Sequence, residues 1–162
     1  MICFIFCCCI SCNPTIEHTY AMIKPGYEKL WGIVIQRIID EGLQIVRMKK
    51  TSFDKNMASI FYKEHVGKPF YPQLSKYMTS GSIVAFELAG ENAIAKWRDI
   101  IGPTKLEIAV KESPNSLRAL YARSTTENLC HGSDSKESAA REISIVFAEE
   151  ISKDKNNKNK DL

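Results

Sequence analysis

The sequence predicts an α/β fold in which helices pack on a central sheet. Three observations predict it. Strand-like apolar segments alternate with segments of helical period, strand then helix, four times along the chain. The length of 162 residues is about one domain's worth. A composition of 44% hydrophobic and 25% charged residues is that of a globular chain able to close a core without covalent staples. Alternation alone leaves two arrangements open: a doubly wound parallel sheet, or the split βαβ, ferredoxin-like sheet.

Each element has its own signal. Tyr20-Ala-Met-Ile23 predicts a buried strand ending at Lys24-Pro25. Leu30, Ile33, Val34 and Ile38 recur at helical spacing, and Gly42 marks where that helix stops. Leu43 to Phe53 predicts a strand of mixed alternation. Asp54 is placed to cap a helix carrying Met57, Ile60 and Phe61, since its carboxylate can accept from the free N–H groups of a first turn. Pro69-Phe-Tyr-Pro72 breaks this helix, and a short one follows through Leu74 and Tyr77. Ile83-Val-Ala-Phe86 is apolar throughout, as a central strand covered on both faces would be. Ile94, Trp97 and Ile101 define the next helix, closed by Gly102-Pro103. A loop is expected from there to about Asn115, then a helical turn around Leu117 and Leu120. Asn128 to His131 predicts a last short strand. Asp134, with Glu137 three residues on, predicts a capping box for a final helix presenting Ala139, Ala140, Ile143 and Phe147.

The domain is expected over residues 16–151, between an apolar Cys-rich leader (1–15) and a polar tail (152–162), both disordered. The net charge of +3 is small, and Lys153, Lys155, Lys158 and Lys160 of the tail supply much of it, so charge gives no nucleic-acid face. Five of the six cysteines crowd into the first twelve residues, which is neither a disulfide framework nor a zinc-ligand spacing. A reducing compartment fits best: the cytoplasm, with the mitochondrion as the alternative. The leader is too short to span a bilayer, which takes about 20 residues, and lacks a positively charged start. It reads as an alternative start without a role, as a sticky disordered segment, or as an acylation site at Cys7-Cys8-Cys9.

The chemistry centres on His131-Gly132-Ser133-Asp134-Ser135. A histidine there ends a strand and precedes a helix start, where an anion would meet free N–H groups and the positive helix end. A neutral imidazole nitrogen is a competent nucleophile. Its other nitrogen must be held, and Glu142, two turns into the helix, can fold back to hold it. Read alone, a histidine before a helix is more often a surface or capping residue. Lys24, Arg98 and Arg118 are cations of the kind that phosphoryl transfer gathers on a polyphosphate, although each alone is a routine surface charge. No Gly-x-x-x-x-Gly-Lys-Ser/Thr loop and no protein-kinase signature occur.

Asn128-Leu-Cys-His131-Gly-Ser-Asp-Ser135 resembles the active-site signature of the nucleoside diphosphate kinase family, Asn-x-x-His-Gly-Ser-Asp-Ser. The resemblance runs from about Thr19 to Phe147. It takes in Lys24-Pro25, Phe61-Tyr62, Pro69-Phe70, Tyr77-Met-x-Ser80-Gly81, Trp97-Arg98, Gly102-Pro103-Thr104 and Arg118. Three stretches, Ile45 to Met48, Phe61 to His65 and Ala139 to Ile143, look most like the divergent isoform-6 branch.

The resemblance implies a ferredoxin-like α/β sandwich, with a four-stranded antiparallel sheet and flanking helices. It implies a ping-pong exchange of the γ-phosphate between nucleoside triphosphates and diphosphates through phospho-His131. By position, Glu142 orients the histidine and Ser133 supports the glutamate. Lys24 and Tyr62 lie beside the transferred phosphate, and Lys24 also serves the sugar hydroxyl. Arg98, Thr104 and Arg118 bind phosphates, Phe70 stacks on the base with Leu74 beside it, and Asn128 contacts the ribose. Mg²⁺ is expected on the nucleotide phosphates, with no metal-binding residue of the protein. Phe70 and Leu74 have core packing as their alternative. Cys130, alternating with His131 along a strand, is expected to be a small buried hydrophobe. His18 and His65 carry no family role and are expected to be structural or exposed.

The chain departs from the family pattern at Gly26-Tyr27 after Lys24-Pro25, at Thr125 where an apolar residue is usual, and in a longer segment from Thr104 to Arg118. The family's C-terminal extension is not matched by the polar tail. The expected partners are nucleoside tri- and diphosphates and further copies of the chain, with the long segment and the tail putting a hexamer in question. No nucleic acid and no membrane span are expected. The second reading is a weakly active or inactive nucleotide-binding module of the same fold.

Overall fold

The computed structural model describes residues 15–148, so the leader and tail expectations and the boundary at Ile151 fall outside the described residues. Burial on both faces of the sheet follows from the period of two along β1 (Ile16–Ile23). Ala21 and Ile23 point into one core, Tyr20 and Met22 into the other. The strand Ser82–Glu91, here β3, does the same, with Val84, Phe86 and Leu88 on the first face and Ile83 and Ala85 on the second. A strand buried on both faces has no polar side to show, which is why these two segments read as unbroken apolar runs.

The first core is closed by α1 (Trp31–Asp40), through Val34 and Ile38, and by α4 (Ala93–Ile101), through Trp97, Ile100 and Ile101. The second is closed by α2 (Lys55–Phe61), α3 (Tyr71–Met78) and α7 (Lys136–Val146), through Phe61, Met78, Ile143 and Val146. β2 (Gln44–Ser52) and β4 (Cys130–Gly132) form the edges. The sheet order is β2-β3-β1-β4 and every pair is antiparallel. That is the split βαβ, ferredoxin-like arrangement, and it excludes the doubly wound alternative.

Asp54 caps α2 as expected, accepting from the Met57 N–H at 2.7 Å. Two elements differ from expectation. The stretch expected as a loop to Asn115 contains a helix, α5 (Leu106–Glu112), ahead of α6 (Leu117–Tyr121). Of α5 only Ala109 is buried, so its apolar stripe is too narrow to stand out by period. The final helix is capped by Ser135, not Asp134: the Ser135 hydroxyl accepts from the Ser138 N–H at 3.1 Å. The cap therefore lies one residue later than the Asp134–Glu137 pair suggests. Among the described residues no helix is long and apolar enough to cross a membrane.

Candidate active site

β4 is three residues long, and it carries His131. Its register is fixed by β1 alone, with Met22 opposite His131 and Ile23 opposite Cys130. Alternation sends Cys130 wholly into the first core, where burial pushes its thiol up to about 12. It is a small buried hydrophobe, as expected. His131 turns the other way, into a cleft of about 660 Å³. Behind it the Phe61 ring lies 5.2 Å away edge-on, Tyr20 5.9 Å and Tyr62 6.2 Å.

The turn into β4 is strained. Leu129 has φ +68°, the left-handed region that a leucine seldom occupies. The Cys130 N–H bonds back to the Asn128 carbonyl at 2.8 Å, and the Lys24 N–H to the Leu129 carbonyl at 2.8 Å. Full burial of the Leu129 side chain helps to hold this conformation. Gly132 follows because no Cβ fits: one would stand 2.5 Å from Trp97 Cδ1 and 2.7 Å from its Nε1. The indole N–H in turn donates to the His131 carbonyl at 3.0 Å, locking the strand to α4.

The His131 imidazole is held from one side. Its Nε2 lies 2.8 Å from Glu142 Oε2, and that same oxygen accepts from the Ser133 hydroxyl at 2.8 Å. Glu142 and Ser133 are both buried. A carboxylate can only accept, so the imidazole proton belongs on Nε2 and the Nδ1 lone pair is left for chemistry. No protein hydrogen bond reaches Nδ1 among the described residues.

Opposite the histidine stands a set of cations and donors. Lys24 is buried, with Nζ donating to Asn128 Oδ1 at 2.6 Å and to the Thr126 carbonyl at 3.3 Å. Burial first, then the Arg118 charge, bring its ammonium down to about 7. Arg118 is also buried. It spans Gly102 O at 2.6 Å and Cys130 O at 2.9 Å, approaches Thr104 Oγ1 at 3.5 Å, and has its Nε unpartnered. Burial lowers it to about 10, so it stays a cation at neutral pH. The exposed Arg98 comes from the last turn of α4. The Tyr62 hydroxyl is buried without a partner, and burial together with the Glu142 charge holds its phenol far above the usual range. It stays a neutral phenol, with its O–H free to donate.

Phe70 stands about half exposed at the mouth, while Leu74 packs against the second core behind it. The core alternative therefore fails for Phe70. Of the eleven residues expected at the site, ten line the one cleft and Ser133 lies behind Glu142. The cleft also takes in residues without an expected role, among them His65, Thr125 and Arg141. His65 stacks on Tyr62 with centroids 6.0 Å apart and meets Phe70 edge-on at 5.4 Å. Arg141 has no expected role from the sequence, although its place three residues after Ser138 and next to Glu142 puts it on the helix face turned to the cleft.

Comparison with known proteins agrees with this geometry. The family model described as "Nucleoside diphosphate kinase" matches residues 17–151. The nucleoside diphosphate kinase of Methanocaldococcus jannaschii is 41% identical over 136 residues, which are 83% of this chain and 95% of that protein. A probable nucleoside diphosphate kinase 5 of Arabidopsis thaliana is 44% identical over 135 residues, 82% of this chain and 94% of that protein. Among solved structures, the Aquifex aeolicus nucleoside diphosphate kinase superposes with a TM-score of 0.79 at 41% identity, over 82% of this chain and 96% of that one. The Encephalitozoon cuniculi enzyme gives 0.77 at 31% identity, over 81% and 88%.

Proposed function

The chain belongs to the nucleoside diphosphate kinase family and has that enzyme activity, and from this premise we propose that His131 carries the phosphoryl group between its nucleotide substrates. The observation that carries the reading is the one-sided grip on the imidazole: on a residue that lines the cleft, Nε2 is held by Glu142 and Nδ1 has no hydrogen-bond partner among the described residues. In the first half-reaction the Nδ1 lone pair forms a bond to the γ-phosphorus of a nucleoside triphosphate, and the bond from that phosphorus to the bridging oxygen breaks. The diphosphate leaves with the electron pair. Nε2–H stays on Glu142, whose charge offsets the positive charge developing on the ring. In the second half, a terminal oxygen of another nucleoside diphosphate takes the phosphoryl group from Nδ1.

Lys24, Arg98, Thr104 and Arg118 are the groups that would hold the phosphates, and the Tyr62 hydroxyl would donate to the group in transfer. Phe70 would stack on the base and Leu74 would flank it, with Asn128 at the sugar. Mg²⁺ would arrive on the polyphosphate.

The relation to the isoform-6 branch rests on the three stretches quoted above; the chain is read as a homo-oligomer, with the long 104–118 segment putting a hexamer in question. Exposed Trp31, Ile33, Val46 and Met48 on α1 and the edge strand β2 support self-association. A domain over 16–151 and a cytoplasmic location are our reading of the chain, resting on its composition and cysteine placement.

The test is covalent labelling. Purified protein with Mg²⁺ and γ-labelled ATP should form an acid-labile, base-stable phosphoenzyme that loses its label to each nucleoside diphosphate. His131→Ala should take none. An unlabelled but folded parent protein would leave the nucleotide-binding module as the reading.

A further inference from the structure

Glu142 can hold His131 only if its carboxylate keeps one orientation. Oε2 is committed twice, to His131 Nε2 and to Ser133. Oε1 faces one charged group, the guanidinium of Arg141, whose Nη2 lies 3.6 Å away. The opposite nitrogen of that guanidinium, Nη1, donates at 3.0 Å to the carbonyl of Phe61. Phe61 ends α2, where backbone carbonyls have run out of helical partners. Its ring is the one packed edge-on against His131, and the next residue is Tyr62. Nη2 is also 3.7 Å from the exposed Glu64. A rigid guanidinium can bind a carbonyl at one edge while facing a carboxylate at the other, which an ammonium cannot reproduce in full.

We propose that Arg141 is a positioning residue for phosphoryl transfer, clamping the Glu142 carboxylate to the end of α2 so that Oε2 stays aimed at His131 Nε2. Arg141 acts through Glu142 and the Phe61–Tyr62 segment. The phosphates are left to Lys24, Arg98, Thr104 and Arg118. Loss of the clamp lets the carboxylate rotate away from Nε2, so the ring loses its tautomer and its counter-charge at the moment it is phosphorylated. Nucleotide binding, which involves other side chains, is spared. The proposal rests on His131 as the nucleophile.

The experiment is single-turnover phosphorylation of the full chain by quenched flow, over a range of Mg²⁺–ATP concentrations, for the parent, Arg141→Gln, Arg141→Lys and His131→Ala. Thermal unfolding confirms that each is folded. The expected result is a phosphorylation rate constant lowered roughly tenfold in Arg141→Gln, an apparent nucleotide dissociation constant within about threefold of the parent, and partial recovery of the rate in Arg141→Lys. A rate constant equal to the parent's overturns the proposal. So does a change confined to the dissociation constant, which would make Arg141 a phosphate ligand. Should Arg141→Gln not fold, Arg141→Lys decides alone: it retains the charge and loses the fork, so an unchanged rate constant overturns the clamp. Labelling of His131→Ala, or none of the parent, would instead remove the nucleophile assignment beneath it.

Discussion

Lys24 carries the most informative charge in the cleft. Its ammonium is brought down to about 7 by burial and by Arg118, so near neutral pH the empty site holds a mixture of charged and neutral lysine. A bound polyphosphate favours the charged form, and binding must then take up a proton. The sign follows: affinity is full below about pH 7 and declines as pH rises through it, by at most about tenfold per pH unit for one proton. Calorimetry in two buffers of different ionisation enthalpy at pH 7.5 should record this uptake, and Lys24→Met should abolish it. At Glu142 the expected change is in rate. A glutamine either points its amide nitrogen at Nε2 and favours the wrong tautomer, or presents its neutral oxygen there and loses the counter-charge. Glu142→Gln should slow phosphoenzyme formation on the order of 10²–10⁴-fold, and a parental rate in quenched flow would refute the orienting role. Gly132→Ala tests space, since its Cβ would enter the Trp97 indole. It should cost about 1–3 kcal/mol of stability in urea unfolding.

Helix starts show what the sequence disclosed and what it withheld. Ser135→Ala removes the hydroxyl that caps α7 and should cost about 1 kcal/mol in the same assay. A larger loss from Asp134→Ala than from Ser135→Ala would contradict the observed cap. Both residues are good caps by type, and only the backbone of the preceding turn decides between them. The alternating elements were legible because β1 and β3 are covered on both faces and the larger helices keep a buried stripe. α5 was not legible, having one buried residue. At the site, the eight-residue signature and the matching positions named eleven residues, ten of which line one cleft. Three features lay beyond that match. The left-handed turn at Leu129 is imposed by tertiary packing on a residue that does not prefer it. Arg141 and His65 are placed by tertiary contacts, Arg141 with the Phe61 carbonyl and His65 with Tyr62 and Phe70.

Among the described residues the sheet ends at β4 on one side and at β2 on the other. β2 is nine residues long, carries a register shift between Ile45 and Arg47, and exposes Val46 and Met48, while α1 exposes Trp31 and Ile33. An open edge beside apolar side chains is a surface that proteins cover. Light scattering should therefore find more than one chain per particle, and Trp31→Glu should lower the mass. A monomeric parent would refute self-association.

The strand order has a further consequence in time. β1 is the first strand of the described chain, yet its neighbours are the third and the last. His131 and Glu142 lie on that last strand and on the helix after it. During synthesis, Lys24 and Tyr62 leave the ribosome long before the groups they serve. If His131 is the phosphorylated residue, a chain halted before α7 should take no label, however well its early part has collapsed. Acquisition of the phosphoryl label is thus a clock for the closing step of folding, started only when the C-terminal helix docks.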